Sequence, residues 1–287
     1  MTVLSTGRGG GGGGEGAERL AGGTEQGRSG PRKVLLTVEY DGTGYAGWQF
    51  QPNRPTVQGM LELAVRRLTG ERVRVAGASR TDAGVHAEDQ AACFTTASTI
   101  PADGIAAALN ALLPGDIAVK RAVDVAPDFD PRRAARSKRY VYRVLNRPVR
   151  SPLWRSRSWF VPHELDVEAM TAAATHFVGE KDFSSFRAAD SDAVHSVRRI
   201  ISVSVRRCGD FVDIEVHGTA FLRHMVRIMA GTLVWVGKGK LAADDVAAVI
   251  EARRRSAAPA TAPPQGLVLK KIEFQPPVLP LHTTGDA

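Results

Sequence analysis

Apolar and polar positions along this chain follow a pattern that occurs twice. Val34-Leu35-Leu36-Thr37-Val38-Glu39-Tyr40 predicts a strand, and Val57 to Leu68 predicts a helix, with Leu61, Ala64, Val65 and Leu68 on one face. Val73 to Gly77 and Asp89 to Thr95 predict two strands flanking a polar loop. Ile105 to Leu113 predicts a second helix, stopped by Pro114-Gly115, and Ile117 to Val125 a fourth strand. The order is β-α-β-β-α-β. It then returns. Arg139 to Leu145 predicts a strand with alternating Tyr140, Tyr142 and Val144, and Val167 to Val178 a helix. Ile200 to Arg206 and Phe211 to His217 predict strands joined by a turn at Cys208-Gly209-Asp210. Phe221 to Val236 predicts a long apolar-faced helix, Ala243 to Arg254 an additional one, and Leu267 to Phe274 a closing strand.

Two tandem β-α-β-β-α-β units predict an α+β fold of two ferredoxin-like halves with largely antiparallel sheets. The expected division is a glycine-rich extension at 1–31, a first half at 32–126, a second half at 127–275 and a loose tail at 276–287. If the sheets lie side by side, a central cleft opens between the halves, a usual place for a site. Residues 1–31 hold 12 of the chain's 29 glycines, six of them consecutive from Gly9 to Gly14. Such a segment buries too little surface to offset its ordering entropy. No strand precedes it and no Gly-Lys-Ser/Thr follows, so it does not read as a phosphate-binding loop.

Composition adds a partner class. The chain is 43% hydrophobic, enough for a substantial core without metal or disulfide staples. Its net charge is +8 and its pI about 9.9. Arg8, Arg19 and Arg28 balance Glu15, Glu18 and Glu25, so the surplus lies after the extension. A basic folded body suggests a polyanionic partner. The cysteines, Cys93 and Cys208, match no metal-ligand spacing and read as ordinary thiols of a reducing cytoplasm. No apolar run reaches membrane-spanning length, and the N-terminus lacks a signal-peptide layout.

The loop from Gly77 to Glu88 is the most informative stretch for chemistry. It holds an acid (Asp82), a base (Arg80), a histidine (His86) and a glycine (Gly84). A carboxylate beside an arginine stays ionised at neutral pH, and an ionised carboxylate can be a nucleophile. A surface loop with one Arg–Asp pair fits the spacing equally well.

Ser79-Arg80-Thr81-Asp82-Ala83-Gly84-Val85-His86-Ala87 closely resembles the signature loop of the TruA family of tRNA pseudouridine synthases. Glu39 to Gln49, EYDGTGYAGWQ, resembles that family's opening strand and turn, and Leu109 to Ile117, LNALLPGDI, the exit of its second helix. Arg139 to Arg143, RYVYR, is similar to its aromatic strand. Asp182 to Arg187, DFSSFR, and Phe221 to Arg227, FLRHMVR, resemble parts of its second half, and Ala262 to Leu267, APPQGL, its last turn. The likeness runs in order from about Val34 to Phe274.

The resemblance implies the pseudouridine synthase fold and isomerisation of uridine to pseudouridine at positions 38, 39 and 40 of the tRNA anticodon stem-loop. It also implies a homodimer with one tRNA spanning both subunits, and neither metal nor organic cofactor. It places the catalytic aspartate at Asp82 and the tyrosine that packs against the target base at Tyr140. The arginine paired with the carboxylate falls at Arg227, and an arginine assisting base flipping and RNA contact at Arg80. These roles are physically sensible, since a uridine inside a stem must be turned out of the stack and then held. Residues 140 and 142 point to the same sheet face, so alternation cannot choose between the two tyrosines; only the resemblance selects Tyr140. Arg227 sits among apolar Met225, Val226, Ile228 and Met229, where an arginine wants an acidic partner. His86 reads as a residue that holds loop geometry. His195, His217 and His224 form no metal-ligand spacing.

The basic residues Arg132, Arg133, Arg136, Lys138, Arg139, Arg143, Arg147, Arg150, Arg198, Arg199, Arg206 and Arg207 are expected, as a group, to meet phosphates. The run Arg253-Arg254-Arg255 reads as the cationic end of a helix. Ser79 stands where many relatives have glycine, and Phe129-Asp130-Pro131-Arg132-Arg133 departs from the commoner Phe-His-Ala-Arg-aromatic stretch. The glycine-rich extension has no counterpart in the family. A tRNA-binding or RNA-folding module without catalysis is the alternative from another class; it has no need of Asp82, Tyr140 and Arg227 together. An aspartate-based phosphohydrolase lacks a second acidic metal ligand near Asp82.

Overall fold

The computed structural model describes residues 30–190, 194–275 and Val278. Most of the glycine-rich extension and of the expected tail at 276–287 therefore lies outside the described residues. No helix among them is long and apolar enough to cross a membrane.

The first unit runs β1 (Arg32–Tyr40), α1 (Val57–Thr69), β2 (Ala76–Gly77), β3 (His86–Thr96), α2 (Ala102–Leu112) and β4 (Ile117–Val125). A four-residue helix, α3 (Pro131–Ala134), leads into the second. That unit runs β5 (Ala135–Asn146), β6 (Trp159–Val161), α4 (Val167–Ala174), β7 (Gly179–Asp182), β8 (Val197–Cys208), β9 (Phe211–Gly218), α5 (Met225–Gly237), α6 (Asp245–Glu251) and β10 (Leu267–Phe274).

In each unit the four principal strands take the same spatial order. The first reads β4-β1-β3-β2 and the second β10-β5-β9-β8. The sheets do not merely lie side by side. They fuse into one ten-stranded sheet, ordered β4-β1-β3-β10-β5-β9-β8-β7 with β2 beside β3 and β6 beside β5; among the described residues only β10–β3 and β5–β6 pair in parallel. The predicted strand at Val73–Gly77 shrinks to Ala76–Gly77, because side chains of α1 take its backbone groups. Glu62 Oε1 accepts from Val75 N at 3.1 Å, and Gln58 Nε2 donates to Val75 O at 3.0 Å. With β2 this short, the start of β3 is left for β10, which pairs at Val268↔His86 and Leu269↔Ala87. A single apolar core then runs through both units.

The helix faces follow the apolar spacing. α1 buries Val57, Leu61, Ala64 and Val65; Thr56 caps its start by accepting from Gly59 N, and Gly70 ends it at φ 78°. The opposite face of the sheet carries cross-strand ion pairs such as Arg143–Asp213, which stand directly opposite in register. Other departures have local causes. The predicted 167–178 helix tightens into a 3₁₀ turn at Thr175–Phe177. The predicted 221–236 helix begins only at Met225, because His224 has a left-handed backbone. The predicted 243–254 helix ends at Glu251; Arg253 is left-handed, so the arginine run lies beyond the helix rather than capping it. The short strands β6 and β7 lack enough alternation to be read from sequence.

Candidate active site

The loop between β2 and β3 is clamped by the end of β1 and the segment that follows it. Tyr40 Oη and Thr81 Oγ1 lie 2.7 Å apart, Trp48 N donates to Thr81 O, and Gly84 N to Tyr45 O. Approach is closest at Gly42, where any Cβ would lie 2.0 Å from Val85 O. Gln90, fully buried on β3, bonds both backbone groups of Ser79 at 3.1 and 2.7 Å. His86 sits under the loop, not in the cleft: Nδ1 is 3.1 Å from both Gly42 N and Asp41 Oδ1, and Nε2 is 3.2 Å from Gln265 O. Its surroundings fit the geometric role read from sequence. With the backbone so fixed, Asp82 projects into the cleft.

The second unit supplies the partners. Arg227, in the first turn of α5, donates from Nη1 to Asp82 Oδ2 at 3.1 Å and from Nε to Ala262 O at 2.9 Å. Ala262 N returns a bond to Arg227 O, so the 260–262 segment fixes the guanidinium. Tyr140, on β5, lines the same cleft, edge-on to Phe221 at 5.1 Å between ring centroids. Its hydroxyl lies 2.8 Å from Ser79 Oγ, and burial pushes its pKa up to about 12. Tyr142 shares the strand face but is committed elsewhere, donating to Pro263 O. Arg80 is exposed at the cleft and has no hydrogen-bond or ion-pair partner among the described residues. Asp82, Tyr140, Arg227 and Arg80 thus meet in one cleft of about 1040 Å³, near the upper end of small-ligand pockets.

The cleft is cationic. Eight lysine or arginine residues line it against three aspartates. Among them Lys138 donates to Ala78 O at 2.8 Å, and burial, helped by Arg132, holds its pKa down to about 8. Of the twelve basic residues expected to meet phosphates, Arg132, Lys138 and Arg198 line this cleft. Several others are spent on the protein itself. Arg139 pairs with Glu215 and Glu273, Arg143 with Asp213, and Arg147 with Asp210, while Arg207 bonds Asn146 and Leu165 O. Strand alternation sends Arg139 and Arg143 to the face away from the cleft.

The family model described as tRNA pseudouridine synthase matches residues 36–132 and 173–275. The tRNA pseudouridine synthase A of Myxococcus xanthus is 54% identical over 89% of this chain and 97% of its own length. Those of Pelobacter propionicus and Geotalea uraniireducens are 49% and 48% identical, each over 85% of this chain and all of their own. The chain belongs to the tRNA pseudouridine synthase family.

In this family member the sequence reading overlooked several cleft residues. Arg54, Arg74 and Arg223 line the cleft, as does His224, whose Nε2 is 3.6 Å from Asp82 Oδ2. His224 is three residues before Arg227, one helical turn away, and that spacing was the available signal. Ser79, noted only as a departure from glycine, bonds Tyr140. Ser79→Ala is expected to cost about 1–2 kcal/mol, because it strands a buried hydroxyl. Tyr140→Phe removes that hydroxyl, so the double variant should lose clearly less than the sum of the singles in denaturant titrations. Strict additivity would show that the hydrogen bond contributes nothing.

Proposed function

We propose that this chain isomerises uridine to pseudouridine at positions 38, 39 and 40 of the tRNA anticodon stem-loop, with Asp82 as the reacting carboxylate. The observation that carries the reading is the Asp82–Arg227 pair at 3.1 Å within a cationic cleft that Tyr140 also lines. The basic rim receives the RNA backbone, and Arg80, exposed and uncommitted, assists extrusion of the nucleotide. Tyr140 then packs against the flipped base, a contact of about 1–3 kcal/mol for aromatic side chains.

The C1′–N1 bond breaks, the base rotates, C5 bonds to C1′, and the C5 proton leaves as N1 gains one. Nothing is oxidised or reduced overall, and the scheme calls on no cofactor. Asp82 acts by attacking C6 of uracil, by attacking C1′ of the ribose, or by assisting a glycal intermediate. The relatives' names support the tRNA substrate. The anticodon-arm positions, the cytoplasmic location and a homodimer with one tRNA across both subunits rest on the motif resemblance.

Incubating the purified chain with bulk tRNA and mapping pseudouridine should show new sites at 38–40 only. Modification confined to another arm would reassign the substrate.

A further inference from the structure

Asp82 has a second neighbour that the isomerisation scheme leaves unused. His224 Nε2 approaches Oδ2, the same oxygen that accepts from Arg227, while Oδ1 has no hydrogen-bond partner among the described residues. His224 is held there in an unfavourable backbone conformation, φ 63° and ψ −1°. It is one of three non-glycine residues with positive φ among those described, and the only one of the three that lines the cleft. The strain serves no helix cap, because its side chain makes no capping hydrogen bond at the start of α5. It turns the imidazole toward the carboxylate instead. Strained residues that gather at a cleft are candidates for function.

We propose that His224 is a positioning residue for Asp82: together with Arg227 it holds Oδ2, so that Oδ1 is the oxygen presented to the nucleotide. This rests on the reading of Asp82 as the reacting carboxylate. The present 3.6 Å is longer than a hydrogen bond, but catalytic contacts commonly tighten once substrate fills a cleft.

The charged groups that face His224 are Asp82 from the loop, Arg223 and Arg227 from its own segment, and Asp190 from the turn before β8. Burial is the largest influence and holds the imidazole below the usual histidine range, with Arg227 and Arg223 opposing protonation and the two aspartates favouring it. At neutral pH the ring is uncharged, and an Nε2–H donor can orient the carboxylate without adding a second full positive charge. Protonation at lower pH adds that charge and weakens Asp82 as a nucleophile. Turnover should therefore fall on the acid side.

The test uses the full chain and bulk tRNA, with His224→Asn and His224→Gln. Asparagine tolerates a left-handed backbone but lacks the reach of the ring nitrogen. His224→Asn is expected to lower kcat about tenfold, with KM for tRNA changed by less than about twofold. Its acid limb should move to lower pH. His224→Gln, whose amide N–H can reach Oδ2, should recover part of kcat while keeping the shifted acid limb. A wild-type kcat and acid limb in both variants would overturn the proposal, as would a raised KM with unchanged kcat, which would make His224 an RNA contact. Asp82→Asn in the same assay separates the two ideas. If it is inactive, the reading of Asp82 stands whatever His224 does; if it is active, both fall.

Discussion

Asp82→Asn should leave tRNA binding nearly intact and reduce pseudouridine formation by on the order of 10³-fold or more, the scale of losing a nucleophile that acts within a catalytic unit. Asparagine has almost the same shape, and its amide oxygen can still accept from Arg227 Nη1, so the clamp between loop and helix persists. The amide carries no negative charge and cannot form the covalent bond or stabilise a developing cation at C1′. RNA affinity comes from the cationic cleft lining, which the substitution leaves in place and makes slightly more positive. Filter binding and pseudouridine mapping on one protein sample check both halves. A variant that still forms pseudouridine would remove Asp82 from the reaction.

Arg227→Met is expected to be damaging in two ways. The guanidinium is largely buried, with 13% of the side chain exposed, and it bonds both Asp82 and Ala262 O. Methionine fills similar space but leaves a partly buried carboxylate and a carbonyl without their donor. Asp82 and Arg227 both keep some solvent contact, so the loss of stability should be about 2–3 kcal/mol, below that of a fully buried pair. Activity should fall further than stability explains, on the order of 10²-fold in kcat at temperatures where the variant is folded. Arg227→Lys should recover less than the loss of charge alone suggests, because one ammonium cannot span Asp82 Oδ2 and Ala262 O as the planar guanidinium does. Thermal unfolding together with kcat at a low fixed temperature separates the effects. A Met variant with full activity would make the pair structural.

Much of this molecule is local in origin. Period-two alternation marks β1, β5, β8 and β9, and helical spacing marks α1, α2 and α5, because side-chain direction in a strand or helix depends on neighbours a few residues away. The turn at Gly209-Asp210 is legible for the same reason, as is the loop carrying Asp82. The motif order also led to Tyr140 and Arg227, though the alternation that exposes β5 treats Tyr140 and Tyr142 alike.

What the chain's order of residues determined by itself is therefore most of the longer elements, their twofold repetition, and a specialised loop bearing an acid. Only tertiary structure decided that the two sheets fuse, that Glu62 and Gln58 shorten β2 to make room for β10, and that Arg139 and Arg143 face away from the cleft. It also decided that Tyr140 meets Ser79 while Tyr142 turns to Pro263, and that a left-handed His224 leans on the carboxylate. Each depends on groups distant along the chain; Asp82 and Arg227 are separated by 145 positions. A periodicity read within one window carries no information about which window will pack against it, and the charge, burial and reach that make a site exist only after that packing.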